Sequence, residues 1–182
     1  FPFEVMTQSV EARARQILAG VPDPHTGRDL VASGALRGVG VSGADVSVDI
    51  VLGYPALSAQ APLADTVKRA LEADPAIVHA AVSVSCRVFP HEVQPGLTPL
   101  PGVKNVLAIA SGKGGVGKST LAANLALALK AEGASVGVLD ADIYGPSQVR
   151  MLGLTGKPDT RDGNRIEPKV SHGIQARSIG LM

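Results

Sequence analysis

The chain has 182 residues, with 17 Lys and Arg against 16 Asp and Glu, and its formal charge of +1 lacks the basic excess of a nucleic-acid binder. With 45% hydrophobic and 18% charged residues it has apolar material for a core, in one domain or two small ones, which excludes a disordered chain. A single cysteine, Cys86, excludes an intramolecular disulfide framework and any CxxC site and points to a reducing compartment. The aromatics Phe1, Phe3, Phe89, Tyr54 and Tyr144 are too few for base stacking. The most apolar stretch, Leu121 to Leu129, is broken by Asn124 and falls short of the about 20 apolar residues that a membrane span needs. No basic segment followed by an apolar core opens the sequence, so a cytoplasmic protein with no nucleic acid and no membrane as partner is expected. Met6 reads as the natural initiator, with Phe1 to Val5 as upstream sequence.

Between Thr7 and Ala19, Val10, Ala14, Ile17 and Leu18 recur at helical spacing, and Gly20 with Pro22 stops the helix. Val21 to Leu30 is a loop by its Pro, Asp and Gly content. Leu36 to Val41 and Val46 to Leu52 read as two strands of a hairpin joined around Ser42-Gly43-Ala44-Asp45. Pro62 suits the first turn of a helix running to about Ala73, with Leu63, Val67, Ala70 and Leu71 as its buried stripe and Asp65 near its positive end. Val78 to Val88 alternates as a third strand, with Val82, Val84 and Cys86 on one face. The sum is an α+β N-terminal domain over residues 1–90, its sheet covered on one face. On that face Cys86 is most simply a small buried hydrophobe, because a reactive thiol needs a partly exposed, electropositive setting. His25, His79, His91 and His172 lack the mutual spacing of a metal site.

The Asp23-Pro24 turn, Gly27-Arg28-Asp29-Leu30-Val31, the two hairpin strands and Tyr54-Pro55-Ala56 resemble the iron–sulfur-assembly domain commonly fused in front of Mrp-type ATPases. Many members of that family carry a cysteine just after the proline corresponding to Pro55. Here the residues are Ala56-Leu57-Ser58, so a thiol or metal role does not carry over to this loop.

Pro90, Pro95, Pro99, Pro101, Gly96 and Gly102 mark residues 91–102 as a Pro-rich linker, and residues 103–182 begin a second domain. The apolar run Val106 to Ala110 reads as a strand and enters Gly112-Lys113-Gly114-Gly115-Val116-Gly117-Lys118-Ser119-Thr120, which meets the P-loop spacing. Glycines permit positive φ and a close approach of backbone N–H groups to phosphate oxygens, and the helix starting near Lys118 adds its positive end. Lys118 would reach the β- and γ-phosphates and the Ser119 hydroxyl would ligate Mg²⁺. The plainer alternative, a glycine-rich turn that binds nothing, is disfavoured by the complete pattern with strand before and helix after. That helix runs to Glu132 with Gly133 as its stop, and Ser135 to Leu139 follows as a strand apolar enough for burial on both faces, giving a parallel βαβ unit. Asp140 and Asp142 then fall at the carboxyl edge of the sheet, where one carboxylate can hold a Mg²⁺-bound water and another can orient the attacking water. The alternative for these two is an Asp-rich turn capping the short helix after Pro146. Gly156 to Asn164 reads as a loop.

Lys113, directly after the first glycine, completes a resemblance to the deviant P-loop family that includes MinD, ParA and the nitrogenase iron protein; a solvated surface lysine is the plainer reading. Val138-Leu139-Asp140-Ala141-Asp142-Ile143-Tyr144-Gly145-Pro146-Ser147 sharpens the resemblance to the Mrp-type iron–sulfur cluster carrier ATPases. The resemblance implies the first part of an α/β P-loop NTPase domain with a parallel sheet, ATP and Mg²⁺ as cofactors, and a homodimer in which Lys113 crosses to the partner's nucleotide. It assigns catalysis to Lys113, Lys118 and Asp142, and Mg²⁺ to Ser119 and Asp140. Gly112, Gly114, Gly115, Val116, Gly117 and Thr120 join Lys118 and Ser119 around the nucleotide. Arg165 to Pro168 and Gly173 to Gly180 resemble the strand pair that follows in the family.

The function implied is an ATP-hydrolysing carrier that delivers iron–sulfur clusters to apoproteins, with client proteins and assembly factors as partners. The family's CxxC ligands for a 4Fe–4S cluster and its later sheet strands are not in this sequence, which therefore reads as the N-terminal portion of a longer protein with weak or absent ATPase activity of its own. Its incomplete sheet is expected to leave an exposed strand edge. A ParA/MinD-like positioning ATPase and a nucleotide-independent assembly scaffold are the rival readings.

Overall fold

The computed structural model describes residues 9–92, 96–161, 163 and 165–182. Met6 with the residues ahead of it, Thr7, and Pro95 of the proline-rich stretch lie outside the described residues. The chain divides into two compact units, Phe1–Pro90 and His91–Met182.

In the first unit Ser9 is extended and its hydroxyl accepts the Ala12 N–H at 3.2 Å, a side-chain cap that starts α1 (Val10–Leu18). β1 (Leu36–Ser42) and β2 (Asp45–Leu52) are antiparallel around Gly43, whose φ of 64° is the left-handed value a tight turn demands. α2 (Leu57–Glu72) carries the chain over to β3 (His79–Cys86), which pairs parallel with β2, so the sheet order is β1-β2-β3. Along β2 exposed and buried residues alternate. Val46, Val48, Ile50 and Leu52 share one core with Leu18 of α1 and Leu63, Val67 and Leu71 of α2, each such side chain contributing about 1.5–3 kcal/mol by burial. This is the α+β sheet expected, covered on one face.

One helix boundary needs correction. α2 begins at Leu57, not at Pro62, which sits inside the helix. As the sixth residue of the helix, proline keeps a helical φ but gives up one i to i−4 backbone bond, and its ring crowds the preceding turn. The buried stripe of Leu63, Val67 and Leu71 offsets that cost of about 3 kcal/mol. Asp65 therefore lies in the body of α2 and not at its positive end, and the first turn holds no acidic residue.

The second unit departs further. α3 (Lys118–Ala131) leaves the glycine loop directly and ends against Gly133 at φ 90°. β4 (Gly137–Asp140) leads through a turn to the short α4 (Gln148–Met151). β5 (Thr160–Arg161) and β6 (Arg165–Ile166) form a small antiparallel ladder by themselves. β7 (Lys169–Ser171) and β8 (Ile174–Ser178) form a hairpin, and β8 also pairs parallel with β4, giving a mixed sheet of order β4-β8-β7. Ala123, Leu152, Leu154, Ala176 and Leu181 make its core.

Four expectations fail here. The run from Val106 to Ala110 forms no strand, and Val106 and Leu107 are 72% and 65% exposed. A strand exists only as one half of a ladder, and no described strand pairs with this run. Consequently no parallel βαβ unit is closed across α3, and the sheet is mixed and not parallel throughout. Nor is β4 buried on both faces, since Leu139 is 75% exposed. Finally, Thr160 and Arg161, expected in a loop, pair with Arg165 and Ile166, while β8 takes β7 and β4 as its partners, so the anticipated strand pair is drawn differently.

Candidate nucleotide-binding site

The loop before α3 is shaped by its glycines. Gly115 has φ 76°, and Gly117, the N-cap of α3, has φ 92°, values that a side chain would strain. At Gly112, Gly114, Gly115 and Gly117 an added Cβ would meet no atom within 4 Å, so the space beside the loop backbone is open. The first helical bond is Leu121 N–H to the Gly117 carbonyl at 2.8 Å, and no side chain caps the helix. The N–H groups of Lys118, Ser119 and Thr120 therefore lack the intrahelical partners that later residues have, as an anion site requires.

Lys118 and Asp142, 24 positions apart, are brought together: Nζ lies 3.1 Å from Oδ2, with both side chains half-buried. The other oxygen of Asp142 accepts the Gly145 N–H at 3.0 Å. That backbone bond first, then the Lys118 ammonium, holds the Asp142 carboxyl below its usual range. Asp140 is occupied by the protein itself. Its Oδ1 accepts the Asp142 N–H at 3.2 Å, and its Oδ2 accepts the Gln148 N–H and the Ser178 hydroxyl, each at 3.1 Å. Ser119 is tied through its carbonyl, which accepts from Gln148 Nε2 at 2.9 Å. Thr120 accepts from Asn124 Nδ2 at 2.8 Å through its carbonyl. Lys113 and Val116 are exposed, and the Lys113 carbonyl accepts the Ser111 hydroxyl at 3.0 Å.

Gln148 and Ser178 escaped sequence reasoning. Ser178 meets Asp140 because β4 and β8 pair Asp140 with Ser178, a register no local pattern encodes. Gln148 offered one usable signal, its position just after Pro146-Ser147 where a short helix could begin.

A second polar cluster sits in the first unit. Asp23, 3% exposed, accepts the Tyr54 hydroxyl and the N–H groups of His25 and Thr26 at 3.0 and 2.8 Å. Burial would raise its carboxyl, but these hydrogen bonds together outweigh that and hold it below the usual value. Burial, then the Asp23 carboxylate, pushes the Tyr54 hydroxyl well above its ordinary range. Cys86 is half-buried against the core and its Sγ accepts from Gln60 Nε2 at 3.1 Å. Among the described residues no three His, Cys, Asp or Glu side chains could together hold a metal ion. Nor, among them, is any helix long and apolar enough to cross a membrane.

A glycine loop that feeds a helix N-terminus, with a lysine beside a carboxylate from the end of a neighbouring strand, has the form of a P-loop phosphate site. Comparison with known proteins agrees on the class: residues 102–182 match the family model of the NUBPL iron-transfer P-loop NTPase, and residues 11–84 match that of the iron–sulfur cluster assembly protein. The iron–sulfur cluster carrier protein of Synechocystis sp. is 38% identical over 170 residues, covering 91% of this chain and 48% of the relative. The iron–sulfur cluster transfer protein NUBPL of Mus musculus is 49% identical over 90 residues, covering 48% of this chain and 28% of the relative. A crystal structure of a domain of unknown function from Bacillus anthracis shares 21% identity, covering 41% of this chain and 73% of that domain, at a TM-score of 0.39, too low to define a common fold. The chain belongs to the Mrp/NUBPL family of iron–sulfur cluster carrier proteins, as the loop and turn motifs anticipated. It spans about half the length of the curated relatives that it matches end to end.

Proposed function

We propose that residues 112–120 bind MgATP and that the whole protein hydrolyses it while carrying iron–sulfur clusters to apoproteins. The observation that supports this best is the 3.1 Å contact between Lys118 and Asp142, which unites a phosphate-binding lysine and a carboxylate able to orient water in one site. Lys118 leaves Asp142 for the β- and γ-phosphates, and the freed carboxylate positions the attacking water. The Ser119 hydroxyl would hold Mg²⁺, which when bound would neutralise charge on the phosphates. Asp140, with both oxygens engaged by protein donors, serves the Mg²⁺ network by holding the turn that carries Asp142. Lys113, exposed at the loop, reaches the nucleotide of a second copy in a homodimer. The cluster is cargo of the whole protein, and the first unit is the surface that meets apoproteins and assembly factors in the cytoplasm.

Calorimetry of the whole chain with a nonhydrolysable ATP analogue tests the reading. Magnesium-dependent binding that is lost in Lys118→Ala is the expected result. Failure of the folded parent chain to bind would overturn it.

A further inference from the structure

Gln148 opens α4 and is only 4% exposed. It makes two bonds to two different elements. Its side-chain Nε2 donates to the Ser119 carbonyl in the first turn of α3 at 2.9 Å, and its backbone N–H donates to Asp140 Oδ2 at 3.1 Å. Asp140 in turn holds the Asp142 N–H, and Asp142 holds Lys118, the residue before Ser119. The five residues thus close a ring: Ser119, Gln148, Asp140, Asp142, Lys118, and back to Ser119 through a peptide bond.

Chemistry fixes how the Gln148 amide is turned, because a carbonyl oxygen can only accept. That leaves Gln148 Oε1 buried with no hydrogen-bond partner among the described residues, and a buried unsatisfied acceptor is a cost. An apolar side chain of the same length would fill the space without it, so stability alone does not account for glutamine here. We infer that Gln148 is a positioning residue for the magnesium site: its side chain fixes the first turn of α3, and with it the Ser119 hydroxyl, against the turn that carries Asp142. This rests on the nucleotide reading above and adds to it the residue that sets the distance between the metal ligand and the water-orienting carboxylate.

Gln148→Met keeps length and volume and leaves the backbone bond to Asp140 intact, so it cuts the side-chain link alone. Binding of the nonhydrolysable ATP analogue to the whole chain is measured with and without Mg²⁺, alongside thermal melting. The expected result is a fall of about fivefold or more in the affinity gained on adding Mg²⁺. Affinity without Mg²⁺ stays within about twofold, and the melting temperature is unchanged or higher because the orphan acceptor is gone. Gln148→Asn, whose amide is one methylene too short to reach Ser119, is expected to lose the same magnesium-dependent gain and guards against a folding defect peculiar to methionine. An intact gain in either folded variant overturns the inference, as does an equal loss with and without Mg²⁺ accompanied by a lower melting temperature. If the parent chain binds no analogue, the nucleotide reading fails and takes the inference with it, an outcome separate from any result in the variants.

Discussion

Asp142 is asked to do two things that compete. It holds Lys118 at 3.1 Å, and by the proposed mechanism it must release that lysine to phosphate before it can orient water. The neutral variant Asp142→Asn separates the two roles: the analogue should bind more tightly, by about two- to fivefold for a half-exposed pair, while hydrolysis by the whole protein should fail. Tighter binding together with retained hydrolysis would remove Asp142 from the mechanism. The carboxyl is held below its usual range, so the contact is present above that range and is lost as pH falls through the lowered value. Acid therefore mimics the variant only below the ordinary carboxylate range, and titrating analogue affinity near neutral pH should reveal no step from this group. Lys118 and Asp142 were legible in the sequence because a loop spacing and a strand end define them locally. Gln148 and Ser178 were not, because one is placed by a buried amide contact across 29 positions and the other by strand register.

At the scale of elements, legibility followed whether an element carries its own periodic signal. The first hairpin, with a two-residue turn at Gly43, and β3, whose face alternates although its partner β2 lies across α2, were read to within two residues or so. The same reasoning misplaced the start of α2, where Leu57 to Ala61 carry no periodic signal until Leu63 supplies one. It failed for the run before the P-loop, because an apolar run states a preference for burial without supplying the neighbour that provides it. Val106, Leu107 and the adjoining backbone have no ladder among the described residues, whereas β8 is paired on both edges. Hydrogen exchange should register the difference: amides of Val106 to Ala110 should exchange at close to unprotected rates, and those of Ile174 to Ser178 should be protected. Protection of both segments would mean that the run is paired in solution after all.

At the scale of the molecule, the two units bring unequal resources to folding. The first packs fifteen described residues, among them Leu18, Leu30, Ile50, Leu52 and Leu71, into one cluster, and the second packs five. Stability grows with apolar area removed from water, so the unit that holds the candidate nucleotide site is the weaker of the two. Two melting transitions are expected, the lower belonging to residues 91–182. Leu18→Ala, which opens a cavity at a fully buried position, should cost about 2–5 kcal/mol and lower only the upper transition, leaving analogue binding intact. Leu152→Ala should lower only the lower transition and weaken binding, since Leu152 is fully buried in the core that supports α4 and the Asp140 turn. Magnesium with the ATP analogue should raise the lower transition alone, by mass action on the state that binds. Calorimetric scans of the parent and both variants decide the matter. A single transition that all three perturbations move together would mean that the units fold as one cooperative body.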